Sequence, residues 1–320
     1  MPSLARATFP KKVKLVEVGP RDGLQYESSL VSTDAKTELI NQLTKSKMPV
    51  IECTSFINPS MLLQFADSRL IAGKLNKEKT TKYITFAPNH FAIGLASEDK
   101  YDGISLAVTA CEETLKKSLN TNIRDLLNSI DIMVKEAKTL NLSTRAYISF
   151  CMGSQYNNDI DPKRVNEVAN SLHETGVDEI VLQDNIASGT IDKLEKLLNT
   201  ITIPKTKLAA HFHDSHFRGM DLIIYAMSKG ISIIDCAIAG LGQCPYNESP
   251  LGNMVTEEML YILDMMEIEH GVKWKPLLDA GDYISEIMTR ENRTDVYDVD
   301  FDEELTKYKA KYAELIKSLG

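Results

Sequence analysis

Two histidines, His211 and His213, stand two residues apart in the run KLAAHFHD. Side chains alternate along an extended chain, so both imidazoles project to one side and Phe212 to the other. Two imidazoles side by side suit a divalent cation; the bland alternative is a pair of hydrogen-bonded core histidines. Asp22, from VEVGPRDGLQ near the start, would bring a carboxylate to them, and Asn253 could add an amide oxygen. Mixed nitrogen and oxygen ligands with positions left for water or substrate fit Mg²⁺ or Mn²⁺ better than a closed, thiol-rich zinc site. Arg21 precedes Asp22 between glycines. As a fixed cation it could stabilise a developing enolate; as a mere surface pair it would be worth about 0–1 kcal/mol. Glu52 sits in the apolar run VIECT, where an unpaired carboxylate is costly, so a role in orienting Arg21 or a water is expected. Cys244 lies in GLGQCPY, a glycine-containing loop that could close over a site and move a proton, whereas Cys53, Cys111 and Cys236 read as small buried hydrophobes.

These residues need a frame to bring them together. Eight short β-branched runs recur at about 30-residue spacing, each followed by an amphipathic stretch. They are 13–18, 50–54, 82–87, 103–109, 144–150, 179–183, 207–213 and 232–238. Several are apolar throughout, as parallel strands covered by helices should be. Asp161-Pro162 starts one helix, Val165, Val168, Ala169 and Leu172 supply its stripe, and Gly176 stops it. The segment from Asp34, with Leu39, Ile40 and Leu43, repeats the pattern. Eight such units predict an α/β chain folded as a (β/α)₈ TIM barrel, and no G-x-G-x-x-G follows the first strand to favour a dinucleotide fold. A barrel builds its active site at the carboxyl ends of the strands. Arg21, Asp22, Glu52, Tyr147, Asp184, Asn185, His211 and His213 all fall there, and the last strand runs into AGLGQCPYNESPLGN.

Composition narrows the function. The chain has 320 residues, a net charge of −9 and 43% hydrophobic residues, with no apolar run near the ~20 residues of a membrane span. We expect neither nucleic acid nor membrane as a partner. MPSLARATFPKK lacks an apolar stretch, so neither a secretory signal nor a transit peptide is expected. Five scattered cysteines without Cys-x-x-Cys argue for a reducing compartment, here the cytoplasm. Residues 10–290 are expected to form the catalytic barrel, and 291–320 a charged helical extension.

VEVGPRDGLQ, HFHD and AGLGQCPY followed by Gly252-Asn253 together resemble the hydroxymethylglutaryl-CoA lyase family, over residues 12–290 in order and spacing. The resemblance implies a metal at Asp22, His211, His213 and Asn253, with Arg21 on the thioester enolate and Glu52 in support. It further implies Asp184 and Glu257 beside the metal ligands, Cys244 as the mobile-loop thiol, and Gln25 and Tyr147 near substrate. The activity implied is cleavage of 3-hydroxy-3-methylglutaryl-CoA to acetyl-CoA and acetoacetate, by a homodimer acting on a small acyl-CoA. The family's Asn-Glu-Lys after RDGLQ is here Tyr26-Glu27-Ser28, its Ser-Leu-Gly before Asp184 is Val181-Leu182-Gln183, its small residue on strand 5 is Phe150, and its glycine before the loop cysteine is Gln243. These departures fall on the pocket wall rather than on the metal and enolate residues. Rival readings are a Claisen-type synthase of the same superfamily acting on an acyl-CoA and a 2-oxo acid, a metal-dependent amidohydrolase, which needs more than these six histidines, and a non-catalytic metal-binding barrel.

Overall fold

The computed structural model describes residues 9–118, 120–157, 159–214, 218–242, 252–292 and 294. Eight strands form: β1 (Lys14–Glu17), β2 (Val50–Ser55), β3 (Lys82–Phe86), β4 (Gly103–Thr109), β5 (Ser143–Ser149), β6 (Glu179–Asp184), β7 (Leu208–Phe212) and β8 (Ile233–Cys236). They pair in chain order, all parallel, and β8 closes on β1. The expected barrel is the observed one, with each strand within two residues of its expected bounds. Nearly every strand residue is buried, because the interior and the helical jacket cover both faces.

Among the described residues ten α-helices surround and extend the barrel: α1 (Thr33–Lys45), α2 (Ser68–Ala72), α3 (His90–Glu98), α4 (Glu112–Ser118), α5 (Ile123–Thr139), α6 (Pro162–Thr175), α7 (Ile191–Thr200), α8 (Arg218–Ser228), α9 (Thr256–Met265) and α10 (Trp274–Ile287). Their ends follow local chemistry. The Asp161 side chain accepts from the Lys163 amide, Pro162 occupies the first helical position, and Gly176 at φ 87° ends α6. Val165, Val168, Ala169 and Leu172 are all buried against the barrel, each such side chain worth about 1.5–3 kcal/mol for the larger ones. Ser32 caps α1 through the Ala35 amide. No described helix is long and apolar enough to cross a membrane. Residues 295–320, most of the expected extension, lie outside the described residues, as do Gln243 and Cys244.

Two irregularities prepare the site. The chain leaves β1 through a wide helical turn, Gly19–Gly23, that holds Arg21 and Asp22 over the barrel mouth. In β2 the register against β3 slips between Glu52 and Thr54, so Cys53 is an extra residue beside Glu52. Such bulges re-aim a neighbouring side chain.

Candidate active site

The strand ends bring the charged residues into one nearly closed ring. Arg21 donates from Nε to Glu52 Oε2 at 2.7 Å and from Nη1 to Asp22 Oδ1 at 2.6 Å. Glu52 also accepts from Ser105 Oγ and, at 3.1 Å, from the Tyr147 hydroxyl. Tyr147 in turn accepts from Arg145 Nη1 at 3.2 Å, and Arg145 grips both oxygens of Asp235 at 2.8 and 2.5 Å. Asp235 Oδ2 meets His211 Nδ1 at 3.1 Å, and His211 Nε2 lies 3.8 Å from Asp22 Oδ2. Arg21 also lies over the rings of Phe86 and Tyr147, at 5.2 and 5.3 Å. Burial works against its charge, but Glu52 and Asp22 outweigh burial and hold the guanidinium firmly protonated. Its Nη2 lies 2.6 Å from Glu52 Oε2 in an ion pair, yet without a hydrogen-bonding angle, so that nitrogen has no hydrogen-bond partner among the described residues.

Asp22, His211 and His213 offer ligand atoms that all lie within 4.8 Å of one another. Burial would raise the Asp22 carboxyl, but Arg21, His211, His213 and the Asn253 amide together hold it at about 2. Burial, and then His211, pull His213 down to about 4 against the attraction of Asp22, so its imidazole is neutral at pH 7. His211 Nε2 and both ring nitrogens of His213 are buried without a hydrogen-bond partner among the described residues. Buried orphan nitrogens are rare and costly. His211 Nε2 and one ring nitrogen of His213, with the ionised Asp22 carboxylate, are a donor set that a divalent cation would satisfy, and the residues fit one. Asn253 stands beside this set, but with Nδ2 donating to Asp22 Oδ2 at 3.0 Å and to the Leu241 carbonyl at 3.1 Å.

The other expected residues stand outside the metal-ligand group. Gln25 accepts a long bond, 3.4 Å, from Arg21 Nη1. Asp184 is fully buried and faces its own loop, accepting from the Ser188 amide and hydroxyl at 3.1 Å and the Gly189 amide at 2.6 Å. Glu257 accepts from the Ala239 amide with both oxygens at 3.1 Å. Neither carboxylate belongs to the metal-ligand group. Burial pushes Glu257 up to about 8. Glu17, which sequence reasoning missed, accepts from the amides of Gly19 and Ile238 and from Thr256 Oγ1, and burial raises it to about 7. Glu17 and Glu257 thus bracket the turn Ile238–Gly240, from which the Cys244 loop departs. Asp235 and Arg145 were also missed. The available signal was a lone acid and a lone base inside otherwise apolar strands.

A cavity of about 340 Å³ opens on the metal-ligand group. Arg21, Asp22 and His213 form its charged and metal-facing side; Tyr26, Phe86 and Phe150 contribute an aromatic wall. Gln183 also lines it, held by Ser149 Oγ at 2.7 Å.

Comparison with known proteins agrees with this geometry. The HMGL-like family model matches residues 12–284. Bovine (Bos taurus) mitochondrial hydroxymethylglutaryl-CoA lyase is 35% identical over 291 residues, 90% of each chain. The cytoplasmic 3-hydroxy-3-methylglutaryl-CoA lyase of Rattus norvegicus is 34% identical over 92% of this chain and 86% of its own length. The crystal structure of hydroxymethylglutaryl-CoA lyase from Pseudomonas aeruginosa superposes with a TM-score of 0.87 at 33% identity, covering 90% of this chain and 96% of that one. With a family model that matches residues 12–284 and relatives about 35% identical over 90% of its length, the chain belongs to the HMGL-like family of the hydroxymethylglutaryl-CoA lyases.

Proposed function

We propose that this enzyme cleaves 3-hydroxy-3-methylglutaryl-CoA, or a related 3-hydroxyacyl-CoA, to acetyl-CoA and acetoacetate or the related keto acid. The observation that carries the reading is the cluster of Asp22, His211 and His213, with its orphan imidazole nitrogens, next to Arg21 at an open cavity. A bound Mg²⁺ or Mn²⁺ would supply Lewis acidity that makes the substrate's tertiary hydroxyl easier to deprotonate.

The residues divide the remaining work. Asp22 accepts the hydroxyl proton; His211, the alternative base expected from the sequence, has Nδ1 bonded to Asp235 and Nε2 in the metal-ligand group, which leaves it no lone pair for the task. The oxygen's electron pair forms the new carbonyl as the bond between C2 and C3 breaks, and the bonding pair passes to the thioester as an enolate. Arg21, fixed by Glu52 and Asp22, lines the cavity, where Nη2, which makes no hydrogen bond among the described residues, can donate to that enolate oxygen. Cys244, which the family resemblance implies is a mobile-loop thiol and which lies outside the described residues, returns a proton to C2 and completes acetyl-CoA. Tyr147 braces Glu52, and Gln25 contacts Arg21 from the substrate side. Asn253 steadies Asp22 and could turn its amide oxygen to the cation. The described cysteines are all buried free thiols, which supports a reducing compartment such as the cytoplasm; for a homodimer the support is the family resemblance.

A coupled assay for acetyl-CoA release, run over a panel of 3-hydroxyacyl-CoA thioesters with and without Mn²⁺, tests the reading. We expect metal-dependent release, with an acyl preference shifted by Tyr26, Phe150 and Gln183 on the cavity wall. Full activity in chelator-treated protein would refute the metal's role, and release from no member of the panel would refute the lyase.

A further inference from the structure

The two histidines of the metal-ligand group are held in opposite ways. His213 has no hydrogen-bond partner for either ring nitrogen among the described residues. His211 is fixed twice: Nδ1 meets Asp235 Oδ2 at 3.1 Å, and its ring packs edge-on against Tyr147 with centroids 5.7 Å apart and planes at 88°. β7 and β8 pair with Ala210 beside Ile234, which sets His211 next to Asp235 on the adjoining strand. Asp235 cannot turn away. Both its oxygens are engaged by the planar fork of Arg145, which is itself tied to Glu179 at 3.3 Å and to the Tyr147 hydroxyl. His211, Asp235 and Arg145 are all buried, so water does not compete for these bonds.

We infer that Asp235 and Arg145 are positioning residues for the metal site, which together fix His211 as the Nδ1–H tautomer with the Nε2 lone pair presented to the cation. A carboxylate accepts only, so the hydrogen between Asp235 and His211 belongs to Nδ1. Nε2 is then the lone-pair nitrogen, and it is the atom that lies toward Asp22. Arg145 makes the arrangement sustainable. A buried carboxylate left without its cation would be strongly destabilising. A carboxylate behind a ligating imidazole fixes the ring's orientation and raises its basicity, and loss of such a partner weakens metal binding by about 10–100-fold. His211 is therefore set before the cation arrives, whereas His213 is oriented by the cation itself.

The inference rests on the reading that Asp22, His211 and His213 bind a divalent cation. Mn²⁺ titration of the full chain, followed by the EPR signal of free Mn²⁺, should give a Kd for Asp235→Asn about 10–100-fold above that of the unsubstituted protein. Arg145→Lys, which keeps the charge but lacks the fork, should weaken binding in the same direction. A long-range ¹H–¹⁵N imidazole spectrum of the metal-free, unsubstituted protein, assigned against His211→Asn, should show His211 as the Nδ1–H tautomer. That spectrum decides the matter even where a variant fails to fold. An Nε2–H tautomer overturns the inference, as does Mn²⁺ affinity unchanged in both folded variants. If the unsubstituted protein binds no Mn²⁺, the metal reading falls and takes this inference with it.

Discussion

Gly242→Ala tests whether the support of Asp22 depends on a close backbone approach. Gly242 has φ +118°, a region that residues with a Cβ rarely enter, and an added Cβ would lie 2.5 Å from Asn253 Nδ2. Ordinary contact requires 3.4 Å or more, so the Asn253 amide must retreat by roughly 1 Å. That movement breaks its bonds to Asp22 Oδ2 and to the Leu241 carbonyl. Backbone strain at such a φ costs about 1–3 kcal/mol, and a hydrogen bond to a charged group adds about 1.5–3 kcal/mol. The comparison is Gly271→Ala: this residue also has a positive φ, +76°, but a Cβ there meets nothing within 4 Å. It should cost only the left-handed strain, about 1–2 kcal/mol. Denaturant melts of both variants, with Mn²⁺ titration, separate the two effects. We expect Gly242→Ala to lose about 3–5 kcal/mol and to bind Mn²⁺ about 10-fold more weakly, and Gly271→Ala to keep its Mn²⁺ affinity. Equal stability losses together with unchanged Mn²⁺ binding would refute the reasoning.

Arg21→Met should retain Mn²⁺ binding but lower kcat by about 10²–10³-fold, since it removes a donor aimed at developing charge; titration alongside steady-state kinetics checks it, and near-normal kcat excludes the enolate role. Cys244→Ala should lower kcat by about 10²–10⁴-fold with little change in melting, whereas a packing cysteine would lose stability of about 1 kcal/mol or more and keep turnover. Glu257 is raised from 4.5 to about 8, so the folded protein holds a proton that the unfolded chain releases above its own pKa. This contribution to stability is full below about pH 4.5 and declines by up to about 1.4 kcal/mol per pH unit until pH 8. Melts of Glu257→Gln between pH 5 and 8 should therefore fall less steeply than those of the unsubstituted protein; parallel curves would contradict it.

The frame and the metal pair were readable for a common reason: both are periodic. Apolar runs such as 103–109 and 179–183 mark strands covered on both sides, and the two-residue step from His211 to His213 puts both rings on one side of β7. Asp235 and Arg145 were not readable that way. Each is the one charged residue of its strand, and its meaning lies in a partner 90 positions away that only the closed barrel makes adjacent. Asp184 and Glu257 show the converse limit. The family resemblance implied a place beside the ligands without saying what each carboxylate would hold, and in the fold each accepts from the amides of a nearby turn. Position in the sequence puts a carboxylate near a site; which donors reach it first decides what it holds.

That distinction bears on why the barrel carries so much buried charge. Interior layers of such barrels are ordinarily filled by branched apolar side chains. Here the interior contains Glu52, Ser105, Arg145, Tyr147, His211 and Asp235, nearly all inaccessible to water. Desolvation of buried ion pairs offsets most of their attraction, and apolar replacements of similar volume are often as stable or more so. Stability is therefore a poor reason for this interior. Direction is a better one. Every link is oriented: Arg21 Nε on Glu52, the Arg145 fork on Asp235, Asp235 on His211 Nδ1. Each oriented bond removes a rotational choice from the next side chain. What remains at the two ends is one guanidinium nitrogen and one imidazole nitrogen without a hydrogen-bond partner among the described residues, on either side of Asp22. An apolar layer could fill the same volume, but it could not leave those two nitrogens pointed and waiting.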